Sequence, residues 1–175
     1  MKTQLSALLE SSAKLVGNIM EQLNQRVVFA HFCDDIRQEV GNKFSFVGCY
    51  QGVMVIQQFP AQLPKLCAHI IVLTPANKPF ERLLLRAKLN EDVVAELEVP
   101  VSAPNMAGKF RDEAVSAELG RLSLQAMIVL SPVIVIEPSN LRIEAETEAG
   151  IIPGSYLTIR APLPEEIQAV SVMEK

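Results

Sequence analysis

The run from Val27 to Phe59, VVFAHFCDDIRQEVGNKFSFVGCYQGVMVIQQF, limits what this chain can become more than any other stretch, because two β-forming runs meet at Gly41-Asn42. That dipeptide readily takes the positive φ values of a tight loop, so the sequence predicts a hairpin there. A second turn at Gln51-Gly52 leads into Val53 to Ile56, and an antiparallel meander of three strands is expected. Short antiparallel connections of this kind open a sandwich or barrel rather than a parallel sheet.

The rest of the chain repeats the pattern. Lys65 to Thr74 is apolar on both faces, as a covered central strand is. Leu83, Leu85, Ala87 and Leu89 then alternate with Arg82, Arg86 and Lys88, with Leu84 as the exception on the polar side. A turn at Asn90 to Asp92 brings in Val93, Ala95, Leu97 and Val99, with Glu96 and Glu98 opposite, so cross-strand ion pairs are expected. Leu122 to Leu130 alternates again, kinks at Ser131-Pro132 and continues from Val133 to Ile136. After a turn at Pro138-Ser139-Asn140, Leu141, Ile143, Ala145 and Thr147 are predicted to face the core, with Arg142, Glu144, Glu146 and Glu148 facing solvent. Gly150 to Gly154 reads as a loop before a last strand, Ser155 to Arg160. The expected fold is mainly β, an antiparallel β-sandwich with a barrel as the alternative.

Leu5, Leu8, Leu9, Val16, Ile19, Met20 and Leu23 recur at helical spacing, so an amphipathic helix is predicted over residues 4–24. It either lies across a sheet or associates with a second chain through Leu5, Leu8, Leu9, Ile19 and Leu23. The organisation read from the sequence is thus a helix over 1–25, a β-domain over 26–161 with a long loop at 101–121, and an acidic, proline-punctuated tail over 162–175.

At 175 residues the chain suits one domain. Hydrophobic residues make up 49% and charged residues 21%, a surplus of apolar surface that oligomerisation or a protein partner would cover. The net charge of −4, with Lys and Arg scattered singly, leaves nucleic acid an unexpected partner. Glu10 and Lys14 interrupt the core that a signal peptide would need, and Ala126 to Ile136 is too short and too broken to span a membrane. Three cysteines without a secretory signal point to reduced thiols in the cytoplasm.

His31-x-Cys33 and Cys67-x-His69 place alternate residues on one face of each strand, the arrangement in which two neighbouring strands supply a zinc site. The competing reading is that Cys33 and Cys67 pack as small hydrophobes in apolar strands. Asp34, Asp35 and Glu39 form either a carboxylate cluster for a cation or acid-base work, or a solvated strand end. Tyr50 is expected to cap the sheet edge with its hydroxyl in water. The chain has no G-x-S-x-G, P-loop, G-x-G-x-x-G or H-E-x-x-H motif and only two histidines, so neither catalysis nor a cofactor is expected.

The order DDIRQEVGNKFSFVGCYQG, FP, PKLCAHIIVL, IEPSNLRIEAETEAG and SYLTIR resembles a family of small bacterial and prophage-borne proteins classed only as a domain of unknown function. The matching positions are Asp34 or Asp35, Gly41, Lys43, Gly48, Tyr50, Phe59 and Pro60, within residues 27–161. The resemblance implies a β-sandwich of immunoglobulin-like or related type and no assigned activity. The reading that results is a non-enzymatic interaction or accessory protein of phage or prophage origin, forming a homo-oligomer. The alternative is a module that sequesters a small ligand or a metal, with the 101–121 loop as its lid.

Overall fold

A computed structural model describes residues 25–41, 43–101 and 120–166. The predicted helix with Leu5, Leu8, Leu9, Ile19 and Leu23, most of the 101–121 loop and the end of the tail lie outside the described residues. What is described is mainly β, with one helical turn at 164–166.

The first hairpin forms where Gly41 was expected to turn it, between β1 (Val27–Glu39) and β2 (Lys43–Cys49). A second partner takes the other edge of β1: β5 (Leu66–Pro75), which in turn pairs with β8 (Arg121–Leu130). These four antiparallel strands make one sheet in the order β2-β1-β5-β8. The expected third strand of the meander joins a different sheet. β3 (Val53–Val55) runs parallel to β11 (Gly150–Arg160) at the edge of a five-stranded sheet, ordered β3-β11-β10-β6-β7. The turn at Gln51-Gly52 therefore carries the chain between sheets instead of back along β2.

In the second sheet β10 (Ser139–Thr147) lies between β11 and β6 (Leu83–Leu89), and β6 pairs with β7 (Asp92–Glu98), all antiparallel. β11 begins at Gly150, five residues before the expected strand start at Ser155, because the chain turns directly after Thr147 and re-pairs from Gly150. The two short runs flanked by prolines make a separate ribbon: β4 (Ala61–Leu63) pairs with β9 (Val133–Val135). β9 is therefore not the continuation of β8 expected past the Ser131-Pro132 kink but the partner of β4.

One hydrophobic cluster draws on both large sheets. Val28, Phe32, Ala68, Ile70, Val72, Leu124 and Ile128 come from the first, and Leu83, Leu85, Ala87, Leu141, Ile143, Ala145, Leu157 and Ile159 from the second. Period-two geometry puts each of these on the inward side of its strand. Between the sheets, β11 meets β1, where the Ser155 hydroxyl accepts the Ala30 N–H at 2.9 Å. Arg26 secures the entry to β1: it pairs with Glu148, donates to Thr74 Oγ1 and to the carbonyls of Lys78 and Pro79, and lies 4.5 Å from the Phe80 ring centre.

Candidate interaction face

With the inward residues of β1, β5 and β8 assigned, the alternate residues form the outer face of the four-stranded sheet. The register stacks them in three rungs: Phe29, Ile71 and Gln125; His31, His69 and Met127; Cys33, Cys67 and Val129. None of these nine positions carries Asp, Glu, Lys or Arg. Phe29 on β1 and Met127 and Val129 on β8 remain 49%, 41% and 54% exposed, respectively, and the uncharged His31 and Gln125 are exposed on the same rungs.

β1 shapes one end of this face. Phe46 pairs with Ile36, five residues beyond His31 and roughly 16 Å away along a straight strand. Its ring centre nevertheless lies 5.0 Å from that of His69, the partner of His31, and the Phe44 ring is 5.9 Å from His69. β1 must therefore bend past Cys33 and bring the β1–β2 hairpin back over the outer face. The bend falls where the ladder skips a rung, between Cys33 with Cys49 and Asp35 with Val47. Gly48, φ +66°, sits at that gap, and any side chain there would run into the Asp34 carboxylate.

Under this aromatic roof His69 is buried, with Nε2 against Gln125 Oε1 at 3.2 Å and Nδ1 without a partner. Burial lowers its proton affinity, the Gln125 contact opposes that change, and His31 adds to it. The sequence constellation of His31, Cys33, Cys67 and His69 is thus brought onto two adjacent rungs, yet His31 is exposed, both cysteines are buried, and His69 is engaged with Gln125. Among the described residues no group of three or more His, Cys, Asp or Glu is arranged to hold a metal ion.

The acidic residues near the bend are separated from one another by their partners. Asp34 accepts the Tyr50 hydroxyl, whereas Asp35 pairs with Lys65 and, at 3.2 Å, with Arg37. Hydrogen bonds from Lys65 and then Arg37 hold the Asp35 carboxyl below the usual carboxylate range. Burial and the Asp34 carboxylate push the Tyr50 hydroxyl far above its ordinary value, a correction to its expected place in water. The sequence signal for this pairing was the tyrosine itself, one residue beyond the end of β2.

The outer face of the five-stranded sheet mixes ion pairs on β6, β7 and β10 with exposed Val53, Val55, Ile151 and Tyr156 on β3 and β11. Arg86 reaches Glu96 at 2.6 Å and Glu146 at 2.5 Å, Arg82 reaches Glu146 at 2.9 Å, and Arg142 approaches Glu144 at 3.8 Å. The Arg86–Glu96 pair is one expected from the alternation of the β6–β7 hairpin. Glu144, expected in solvent, is buried at 7% exposure, since β10 is a central strand and long side chains such as Arg142 and Arg86 flank it. Elsewhere a pocket of about 710 Å³ opens beside Arg26, but Arg26 and Glu148 at its wall neutralise each other. Burial would raise the Glu148 pKa, and hydrogen bonds from Arg26 and from the N–H groups of Glu81 and Arg82 outweigh that, leaving it lowered.

No family model, curated protein or solved structure matches the chain. Among the described residues no helix is long and apolar enough to cross a membrane.

Proposed function

We propose that this protein acts by protein contact and without catalysis, as a self-associating structural or accessory component, with the outer face of the β2-β1-β5-β8 sheet as its docking surface. The supporting observation is the contrast between the two outer faces. On one, Arg–Glu pairs of β6, β7 and β10 stand among exposed Val53, Val55, Ile151 and Tyr156; the other exposes Phe29, Met127 and Val129 on rungs that carry none of the four charged residue types. A second copy of this chain is the occupant that fits best. Two chains of net charge −4 repel at long range, and meeting through a patch without formal charge adds no like-charge pair to that repulsion. We read the two sheets as a β-sandwich of immunoglobulin-like or related type, with the helix expected from the sequence over residues 1–25 as a second candidate for self-association on its leucine spacing. A cytoplasmic site and a phage or prophage origin belong to this reading, the origin on the sequence resemblance alone.

The test is light scattering at micromolar concentration on the parent and on a Met127→Glu, Val129→Glu double variant. The parent should be a defined oligomer and the double variant a folded monomer. Leu8→Glu with Leu9→Glu should weaken the oligomer if the N-terminal stripe contributes. A monomeric parent, or a double variant that associates like the parent, would remove the basis for the proposal.

A further inference from the structure

The register sets all three cysteines in one row: Cys49 on β2 is the partner of Cys33 on β1, which is the partner of Cys67 on β5. All three are free thiols; Cys33 and Cys67 are buried and Cys49 is exposed. The two neighbouring pairs are not equivalent. The Tyr50 N–H donates to the Phe32 carbonyl at 2.9 Å, so Phe32 and Tyr50 are a hydrogen-bonded pair and the next pair, Cys33 and Cys49, is a non-hydrogen-bonded one. The backbone groups of successive residues point to opposite edges, so those of Cys33 point toward β5 and Cys33 with Cys67 is a hydrogen-bonded pair. Ala30 agrees with this phase, because its N–H leaves the same edge of β1 as Phe32 and meets Ser155 instead of β5. Non-hydrogen-bonded partners have Cα atoms about 4.5 Å apart and side chains that converge, inside the range a disulfide spans. Hydrogen-bonded partners sit about 5.5 Å apart, also inside that range, but with side chains held further from each other, so side-chain approach and the exposure of Cys49 separate the two pairs.

We propose that Cys33 and Cys49 form a modification site, a dithiol that a low-molecular-weight disulfide of the glutathione class converts to a cross-strand disulfide, with Cys49 as the entry thiol and Cys67 as a bystander. The Cys49 thiolate attacks one sulfur of the small disulfide. That S–S bond breaks, one glutathione leaves as its thiolate and takes up a proton, and a mixed disulfide remains on Cys49. The Cys33 thiolate then attacks the Cys49 sulfur, the mixed disulfide breaks and the second glutathione leaves. Two protein thiols are oxidised and one small disulfide is reduced to two thiols. Burial pushes the Cys33 thiol up to about 11, with the Cys67 and Cys49 thiols, Asp34 and Asp35 adding to the shift. The second step is accordingly the slow one and accelerates as pH rises. Its product ties β2 to β1 at the root of the bend that carries Phe44 and Phe46 over His69.

The experiment treats the reduced full-length protein with oxidised glutathione at about pH 8, near the ordinary thiol pKa. Acid quenching, alkylation and tryptic mapping follow. Arg37, Lys43 and Lys65 place each cysteine on its own peptide. The expected product joins the Cys33 and Cys49 peptides within one chain and leaves Cys67 alkylated, so titratable thiols fall from three to one. Cys33→Ser should stop at glutathione on Cys49, and Cys67→Ser should behave as the parent. A parent that stops at the mixed disulfide, links Cys33 to Cys67, or joins two chains through Cys49 would overturn the assignment, whichever way the variants fold.

Discussion

Glu144→Lys separates what strand alternation says from what packing says. On alternation alone Glu144 points outward, and reversing its charge would change stability by under about 1 kcal/mol, as at most surface sites. In the folded chain its side chain is only 10% exposed, with Arg142 Nε 3.8 Å away and Arg86 as its register partner on β6. A lysine there loses the attraction to Arg142, meets two guanidinium groups and leaves its ammonium little water. A charge pair at about 4 Å interacts by about 4 kcal/mol at an effective dielectric of 20. Arg142 is 39% exposed and a lysine can stretch toward solvent, so the net loss expected is about 2–4 kcal/mol. Glu144→Gln, which keeps the shape and removes the charge, should cost under about 1 kcal/mol. Urea denaturation reads both as midpoint shifts at constant slope. Adding Arg142→Ala to Glu144→Lys should recover part of the loss. If Glu144→Lys melts within about 0.5 kcal/mol of the parent, the side chain is solvated and the burial argument for this face fails.

Two further outcomes follow from the core and from His69. Gly154 is wedged between β10 and β1, where a Cβ would lie 2.8 Å from the Ile143 carbonyl oxygen and 2.9 Å from Val28 Cγ1, so Gly154→Ala should cost about 1–3 kcal/mol by displacing β11 from both; an unchanged urea midpoint would contradict that contact. Burial depresses the His69 pKa below 6.5, so the unfolded chain takes up the proton first, and His69 contributes a loss of stability as pH falls through 6.5 toward the lower folded value. Asp35 and Glu146, also held low, contribute stability that is lost only once pH falls into the ordinary carboxylate range and on toward their lower folded values. His69→Gln should flatten the stability profile as pH falls below about 6.5 while leaving the acid limb, and an unaltered slope there would show that His69 is not the group responsible.

Local patterning in the sequence located most strands, because a buried face imposes period two on residues such as Leu83 to Leu89 and Leu141 to Thr147. It did not assign strands to sheets. β3 is three residues long, and nothing within Val53 to Val55 says that its partner is Thr158 to Arg160, a hundred residues away, in parallel orientation. Alternation also gives the side of a strand on which Glu144 lies but not whether neighbouring arginines cover it. The His31, Cys33, Cys67 and His69 constellation was legible as a spacing; that His31 faces His69 and Cys33 faces Cys67 depends on the register of β1 against β5. The third member of the cysteine row, Cys49, was invisible to spacing because it arrives through the other edge of β1. The apolar outer face was foreshadowed only by composition, as a hydrophobic surplus without an address.

Methionine oxidation addresses the docking face most directly. Met127 lies in the middle rung of the outer face at 41% exposure, and Met54 is buried at 4%, an internal reference in the same chain. Brief peroxide treatment followed by peptide mass analysis, at concentrations above and below the association midpoint, reports the fraction of each converted to sulfoxide. Met127 should oxidise readily in dilute protein and be protected in the oligomer, with Met54 slow in both. Equal oxidation of Met127 at the two concentrations, in a protein that does associate, would place the interface elsewhere and contradict the account.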